Sequence, residues 1–279
     1  MEQKMSIKSP SPSVLARFDN RPRRWWIKAL TFLVFALALT WSAMGIQYKG
    51  ITAKGSEVAY GVLHGIFNPD TTVLFDTSEM GVPYLLFETV AIALLGTLFG
   101  GLLAVPFAFL SSEKIVPRWL AFLVRSFVML VRTIPSLVWA LIWIRVTGPG
   151  ALCGVVTQSV CSIGMISKMY VTAIEDVDTR ILESLNAMGC TTFQKIRYGI
   201  LPQLTANMMS TVIYRFDINI KDASTLGIVG AGGIGSVLIQ AIQTRRFGIT
   251  GAFLAGMIIL MLVIEYFSTR LRKRLAQGL

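Results

Sequence analysis

Apolar residues in this chain come in long continuous runs that are separated by shorter polar segments. A helix that crosses a bilayer needs roughly 20 consecutive, mostly apolar residues, and several of the runs approach or exceed that length. The runs that we predict to cross a membrane are 29–46, 83–110, 119–145, 151–173, 203–222 and 249–268. We therefore expect an all-α integral membrane protein with about six transmembrane helices, the fifth of them weaker because polar residues interrupt it.

A further apolar segment, 226–242, is rich in glycine and needs a separate interpretation. Lys and Arg concentrate on the cytoplasmic side of membrane proteins. If this segment crosses the membrane fully, the basic cluster at 270–274 faces the exterior, against that rule. If it only dips into the membrane, both termini are cytoplasmic, and segments on that side hold 17 of the 26 Lys and Arg residues. The charge distribution thus predicts a re-entrant glycine-rich segment.

The remaining segments complete the predicted organisation. Residues 1–28 form a basic cytoplasmic tail, 29–46 the first transmembrane helix, and 47–82 a periplasmic loop that contains a short helix. A transmembrane domain then runs over 83–274 and includes a polar cytoplasmic loop at 174–202. We expect this domain to carry the function.

Composition agrees with a membrane protein and excludes other classes. Hydrophobic residues make up 54% of the 279 residues and charged residues 15%, whereas soluble domains are normally about one-quarter charged. A net charge of +11 could suggest nucleic acid, but the basic residues flank apolar runs, so we expect no nucleic-acid partner. The one histidine, His64, and the three cysteines, which form no CxxC pair, indicate no metal site.

The loop at 174–202 is the most informative part of the sequence. Its first half predicts a short helix that stops at Gly189, because glycine tolerates the left-handed backbone that commonly ends helices. A second short helix leads to Pro202, which suits the first turn of the next span. A short helix held outside the bilayer between two spans acts as a lever, since a force on it tilts both spans.

This loop resembles the "EAA" loop of ABC importer permeases. The residues that fall at the spacing of that family are Glu183, Gly189, Leu201 and Pro202. Ser184 and Leu185 replace its two alanines, and Gly199 replaces an isoleucine. In the family this loop docks on the cytoplasmic ATPase, so the resemblance implies that ATPase coupling involves Glu183, Ser184, Leu185, Gly189, Leu201 and Pro202. The alternative is an ordinary amphipathic connecting loop.

Other stretches extend the resemblance to the phosphonate branch of these importers. They are 132–140, 214–216 and 223–235, and the likeness covers about 84–274. It implies a type I ABC importer permease fold in the inner membrane of a bacterium. It also implies that two copies of the permease form the pore, with two ATPase subunits and an extracytoplasmic phosphonate-binding protein as partners.

The chain has no G-x-x-x-x-G-K-[ST] phosphate loop, so we expect ATP and Mg²⁺ to be used by a separate ATPase and no cofactor to bind here. The predicted function is import of phosphonate or a related phosphorus oxyanion by alternating access, without catalysis. Within the class, the alternative is a permease for methionine or another small solute. A secondary transporter and a membrane-embedded enzyme are the alternatives outside it, and the near absence of histidine disfavours the enzyme.

Polar residues inside the predicted spans are candidates for a transport pathway, because ionisable groups in the membrane are costly. Those in the fifth span are Thr211, Arg215, Asn219 and Asp222 on one helical face, and Asp217 and Lys221 on another. Such a polar seam could let an anion pass without meeting hydrocarbon. The alternative is that these residues pair with one another and with headgroups. Arg132 and Lys168 also lie in predicted spans, where snorkelling or helix pairing would explain them.

Glycine patterns predict close packing. Gly96 and Gly100 form a G-x-x-x-G spacing, which lets helices approach closely. Residues 230–235 match the dinucleotide pattern G-x-G-x-x-G, but that pattern requires a preceding strand, and a membrane span precedes it here. We interpret the group as a gate or re-entrant segment formed by Gly230, Gly232, Gly233 and Gly235. A plain glycine-rich turn is the alternative.

Overall fold

A computed structural model describes residues 25–45 and 53–276, and within them all regular structure is helical. This confirms the predicted all-α class. The chain divides into two units, Met1–Ala53 and Lys54–Leu279. The first unit contains helix α1, Trp25–Gly45, which corresponds to the first predicted span. Most of the predicted basic tail lies outside the described residues.

From Ala53 onward the chain forms eleven further α-helices within the described residues. They are α2 (Ala53–Phe67), α3 (Thr71–Leu74), α4 (Val82–Leu110), α5 (Arg118–Thr133), α6 (Ser136–Thr147), α7 (Ala151–Glu175), α8 (Thr179–Ala187), α9 (Thr192–Gln194), α10 (Leu201–Gly227), α11 (Ile234–Gln243) and α12 (Phe247–Ala276). A π-helix, Lys195–Ile200, joins α9 to α10.

Four of the described helices, α1, α4, α7 and α12, are long and apolar enough to cross a membrane. Helices α5 and α6 together meet the same test, but the chain bends by 88° between them. Pro135 explains the bend, because a proline disfavours helical backbone at the preceding residue, and Ile134 is extended at φ −84° and ψ 121°. The third predicted span, 119–145, is therefore broken rather than continuous.

The fifth predicted span and the glycine-rich segment both contain helices, but these differ greatly in length. Helix α10 is 27 residues long. Because it carries several polar side chains, it is not among the helices that are apolar enough to count as candidate spans. Helix α11 has only 10 residues, which gives a length of about 15 Å against a hydrocarbon core of about 30 Å. Gly235 near its start lies against Gly227 at the end of α10, so the chain turns back here. This agrees with a segment that does not cross.

The core of the second unit is built on α4, α7 and α10. Helices α4 and α7 run side by side in the same direction, and glycines allow their close approach. A Cβ atom on Gly96 would lie 2.6 Å from Gln158 Cβ, and one on Gly100 would lie 2.7 Å from Ser159 O. Helix α10 runs antiparallel to both. The packing predicted from the G-x-x-x-G spacing is thus confirmed.

Much of the predicted loop at 47–82 is helical. Helix α2 packs on α12, where Gly65 meets the backbone of Gly251. Two aspartates order the turns that follow α2. Hydrogen bonds from Thr72 lower the pKa of Asp70, which caps α3, and hydrogen bonds from Ser78 lower the pKa of Asp76. Residues 46–52 of this segment lie outside the described part of the chain.

Candidate functional site

The loop between α7 and α10 folds largely as its sequence predicts. Helix α8 begins after Asp178, whose side chain accepts a hydrogen bond from Arg180 N at 2.9 Å. It ends before Gly189, which has a φ of +73°, and Cys190 N donates to Leu185 O at 3.1 Å beyond it. This pattern is typical of glycine-terminated helices. The predicted stop at Gly189 is therefore confirmed.

The second half of the loop differs from a separate short helix. Helix α9 continues through the π-helix directly into α10, and Pro202 occupies the first turn of α10. A proline has no N–H to donate to the preceding turn, which favours a local change in the hydrogen-bond pattern. The Gln203 side chain donates to Gly199 O at 2.6 Å and so satisfies one carbonyl at this junction.

The six residues predicted to couple to an ATPase divide between two surfaces. Glu183 and Ser184 are exposed on one face of α8, whereas Leu185 is half-buried on the other. Leu201 and Pro202 open α10 and are exposed. Helix α8 thus presents a polar face outward and an apolar face to the membrane domain.

Leu185 packs on Gly199, and this contact accounts for two departures from the family pattern. A Cβ atom on Gly199 would lie 2.6 Å from Leu185 Cδ1, so a larger residue at position 199 would require the Leu185 side chain to move. The family pattern instead has a small alanine in place of Leu185 and a large isoleucine in place of Gly199. The volume lost at one position is therefore regained at the other.

We predict that this pair behaves as a unit in a double-mutant cycle. Gly199→Ile alone overpacks the junction, and Leu185→Ala alone leaves a cavity, so each should lower stability by about 1–3 kcal/mol. The double variant restores the volume, and we expect the two effects to be clearly less than additive. Melting of the purified permease in detergent measures this. Fully additive losses would show that the two sites are independent.

A hydrophobic cluster connects α8 to the spans. Leu182 of α8 and Ile196 of the π-helix pack on a cluster of buried residues that includes Ile174 of α7, Ile200 of the π-helix and Leu204 of α10. The cluster therefore joins α8 to the ends of both spans. This is the geometry that the lever interpretation requires.

Two basic residues fix the end of α7, and sequence reasoning gave them no role. Lys114 Nζ donates to Glu175 O at 2.6 Å and to Val177 O at 2.9 Å, which satisfies carbonyls that a helix end leaves free. Arg125 donates to Ser111 O at 2.9 Å and to Glu175 Oε1 at 2.7 Å. The turn after α4 is therefore tied to the start of the loop between α7 and α10. The only sequence signal was basic residues near that turn.

The structure brings most of the predicted polar face of α10 into the helix core. Arg215 is 7% exposed, and its Nε donates to Ser162 Oγ at 3.0 Å, while its Nη1 lies 3.2 Å from Met165 Sδ. Asn219 is fully buried and donates to Thr97 Oγ1 at 2.8 Å and to Ser162 Oγ at 2.9 Å. Polar contacts thus join α4, α7 and α10.

The charged residues near the end of α10 form two groups. Asp222 Oδ2 lies 3.9 Å from Arg215 Nη2, on the same face of α10 as Arg215. On another face, Lys221 Nζ lies 3.3 Å from Asp217 Oδ2 and 3.6 Å from Glu265 Oε2 of α12. The two faces are those predicted from the sequence. The ion pairs agree with the alternative interpretation, in which these residues pair with one another.

Sequence reasoning missed the partners of this network on the other helices. Ser162 and Gln158 lie one turn apart on α7, and Gln158 Nε2 donates to Asn219 O at 2.8 Å. Thr97 is the partner on α4. Polar residues one helical turn apart in an apolar span were the available signal.

The glycine-rich turn requires its glycines for backbone geometry. Positive φ values of +89°, +80° and +71° occur at Gly230, Gly232 and Gly233. Gly150 N donates to Gly230 O at 2.9 Å, and Thr89 Oγ1 accepts from Ile234 N at 3.0 Å, so the turn is fixed to the start of α7 and to α4. Helix α10 precedes the turn, so the strand that a dinucleotide site requires is not the element found here.

Membrane-length helices around a polar core, with a short exposed helix between two of them, define a helical membrane protein. Residues 96–279 match the family described as "Binding-protein-dependent transport system inner membrane component". The chain belongs to this family and is a permease of its inner-membrane type, with the type I ABC importer permease fold.

Two relatives and one solved structure illustrate the similarity. The chain is 30% identical over 85% of its length to the "Putative phosphite transport system permease protein HtxC" of Stutzerimonas stutzeri, covering 82% of that protein. It is 29% identical over 76% of its length to the "Phosphate-import permease protein PhnE" of Mycolicibacterium smegmatis, but covers only 40% of that protein. A bacterial alginate ABC transporter, solved in complex with an alginate-bound periplasmic protein, superposes with a TM-score of 0.62 at 16% identity, over 91% of this chain and 98% of that one.

Proposed function

We propose that this chain is the pore-forming subunit of an ATP-driven importer for phosphonate, phosphite or a related small phosphorus oxyanion. The names of the two relatives, a phosphite and a phosphate permease, favour this class of solute. The resemblance of 132–140 and 223–235 to phosphonate permeases supports the same choice. A methionine-type importer is the alternative within the fold.

The complete importer has, on this proposal, two copies of this permease, two cytoplasmic ATPase subunits and an extracytoplasmic binding protein. The ATPases use ATP and Mg²⁺, and this chain binds no cofactor. Both termini and α8 lie in the cytoplasm, and α11 is re-entrant on the opposite side. The distribution of Lys and Arg supports this orientation.

The observation that carries the proposal is the two-sided character of α8. Its exposed face, with Glu183 and Ser184, is available to an ATPase, and its apolar face packs on the ends of α7 and α10. Closure of the ATPase dimer then moves α8 together with both spans. Access to the pore changes from one side of the membrane to the other as the spans tilt.

Glu183→Lys tests the coupling directly. The change affects an exposed side chain, so the permease should fold normally but lose its contact with the ATPase. We expect co-purification of the ATPase and uptake of labelled phosphite, phosphate or methylphosphonate to fall about tenfold or more. The reason is that the lysine ammonium group would be buried at the contact, either unpaired or beside another positive charge. Gly189→Pro should do the same, since proline cannot adopt the φ of +73°.

Glu79→Lys is the matched control, because Glu79 is also exposed but lies beside the start of α4, away from α8. It should leave both measurements unchanged. Normal ATPase binding and uptake in the Glu183→Lys variant would contradict the coupling role. Uptake of methionine instead of the phosphorus anions by the wild type would establish the alternative solute.

A further inference from the structure

Two basic side chains that border one cleft of the membrane domain have no acidic partner within the described residues. Arg132 at the end of α5 and Lys168 in α7 are both exposed, and neither makes an ion pair or a side-chain hydrogen bond there. Two other basic residues of the spans are paired instead, Arg125 with Glu175 and Arg215 with Asp222. Unpaired charges at such positions are costly unless water or a ligand solvates them.

Arg132 and Lys168 border the same cleft, between the end of α5, α7 and α10. Its volume is about 390 Å³, which is within the range of roughly 300–1,000 Å³ typical of small-molecule sites. Its polar lining consists of Arg132, Lys168, Thr172, Asp176, Asn207 and Thr211. The Arg132, Lys168 and Asn207 side chains can donate hydrogen bonds into the cleft. The Thr172 and Thr211 hydroxyls donate to backbone carbonyls of their own helices, and Asp176 is a carboxylate.

The arrangement of this lining is fixed by the helices. Lys168 and Thr172 are one turn apart on α7, and Asn207 and Thr211 are one turn apart on α10, so each pair shares a helical face. The methylene groups of Arg132 lie on Gly164, where a Cβ atom would collide with them. Gly164 therefore seats the Arg132 side chain against α7, one turn from Lys168.

The cleft adjoins the buried polar network. Met165, which lines the cleft, contacts Arg215 Nη1 at 3.2 Å, and Thr211 is one turn from Arg215 on α10. Asp176 marks the opposite end, next to the coupling loop. Basic groups thus follow one another from the coupling-loop end of the domain towards its centre.

We propose that Arg132 and Lys168 form a transient binding site for the transported oxyanion in the half of the pathway next to α8. An arginine fork and an ammonium group suit the oxygens of a small tetrahedral anion, and the Asn207 side chain supplies a further donor. Asp176 repels the anion at the mouth and so favours release. This inference rests on the proposed import of phosphorus oxyanions and assigns residues to that function.

The phosphate of a lipid headgroup has the same chemistry as the transported anion, so the experiment must separate them. The assembled importer is reconstituted in vesicles of phosphatidylcholine alone and in vesicles that also contain phosphatidylglycerol. Uptake of labelled phosphite and phosphate is measured together with ATP hydrolysis stimulated by the binding protein. The variants are Arg132→Gln with Lys168→Gln, and the charge-retaining pair Arg132→Lys with Lys168→Arg.

We expect the neutralised pair to lower anion uptake about tenfold or more in both kinds of vesicle, since two charge-assisted contacts are lost. Assembly and stimulated ATP hydrolysis should remain close to the wild-type level. The charge-retaining pair should recover much of the uptake. Arg145→Gln is the matched control, because Arg145 is exposed in the last turn of α6, lies outside the cleft and makes no ion pair within the described residues.

Other outcomes overturn the inference in distinguishable ways. If the wild type takes up the phosphorus anions and the neutralised pair does so equally well, the cleft site is refuted but the proposed function is not. A loss seen only with phosphatidylglycerol present would assign the two residues to lipid, and a proportional loss of assembled complex would assign them to subunit contacts. Absence of any phosphorus anion uptake by the wild type would refute the proposed function and this inference with it.

Discussion

Gly100→Ala should destabilise this permease strongly, whereas Gly101→Ala, one residue further along α4, should not. A Cβ atom on Gly100 would lie 2.7 Å from Ser159 O and would also collide with the Ser162 side chain, so α4 and α7 would have to separate. Overpacking of this kind costs about 1–3 kcal/mol. On Gly101 the nearest atoms would be Val212 Cγ2 at 3.5 Å and Ile166 Cδ1 at 3.7 Å, which are ordinary contacts.

The two substitutions form a matched pair because they replace the same residue type in the same helix. Each gains about 0.5–1 kcal/mol from the better helix propensity of alanine, so the difference between them reports the contact with α7 alone. The amount of monodisperse protein in detergent and its melting temperature measure that difference. Equal behaviour of the two variants would contradict the α4–α7 packing described above.

Gly232→Ala should likewise abolish most of the folded, active permease. Its φ of +80° is strained for alanine, and a Cβ atom would lie 2.7 Å from Ala151 N and 2.8 Å from Ala151 Cα. The backbone on both sides of this contact is fixed, since Gly150 N donates to Gly230 O. The strain of about 1–3 kcal/mol is therefore joined by a clash that cannot relax by side-chain rotation.

Gly148→Ala separates these two contributions. Gly148 also has a φ of +80°, but nothing lies within 4 Å of a Cβ atom placed there. It should carry the backbone strain and no clash, so its protein level and uptake should fall much less. If Gly148→Ala proves as damaging as Gly232→Ala, the docking of the glycine-rich turn on α7 does not contribute as proposed.

The hydrophobic pattern located most of the spans because a helix that contacts lipid must be predominantly apolar over about 20 residues. The second and fourth predicted spans, 83–110 and 151–173, agree closely with α4 and α7. The third was wrong as a continuous helix, since composition does not show whether a proline bends or breaks an apolar run. The predicted loop at 47–82 contains the 15-residue helix α2, which packs on α12.

Much of the loop at 174–202 was predicted correctly because its signals are local. A capping aspartate, a glycine with positive φ and a proline at a helix start each act on their own backbone. The pairing of Leu185 with Gly199 was not accessible, because residues 14 positions apart meet only after the loop has folded back on itself. Two departures from a family pattern then become one compensated contact.

The sequence by itself determined the helical membrane class, the positions of most spans, the lever-like loop and the family. These follow from apolar length, charge distribution and residue spacing, which are properties of neighbouring residues. Only the tertiary structure decided that Asn219 pairs with Thr97, that Gly164 seats Arg132, and that Arg132 and Lys168 share a cleft. Those contacts depend on how α4, α5, α7 and α10 pack, and helix packing is set by the fit of side chains across helices rather than by the pattern within any one of them.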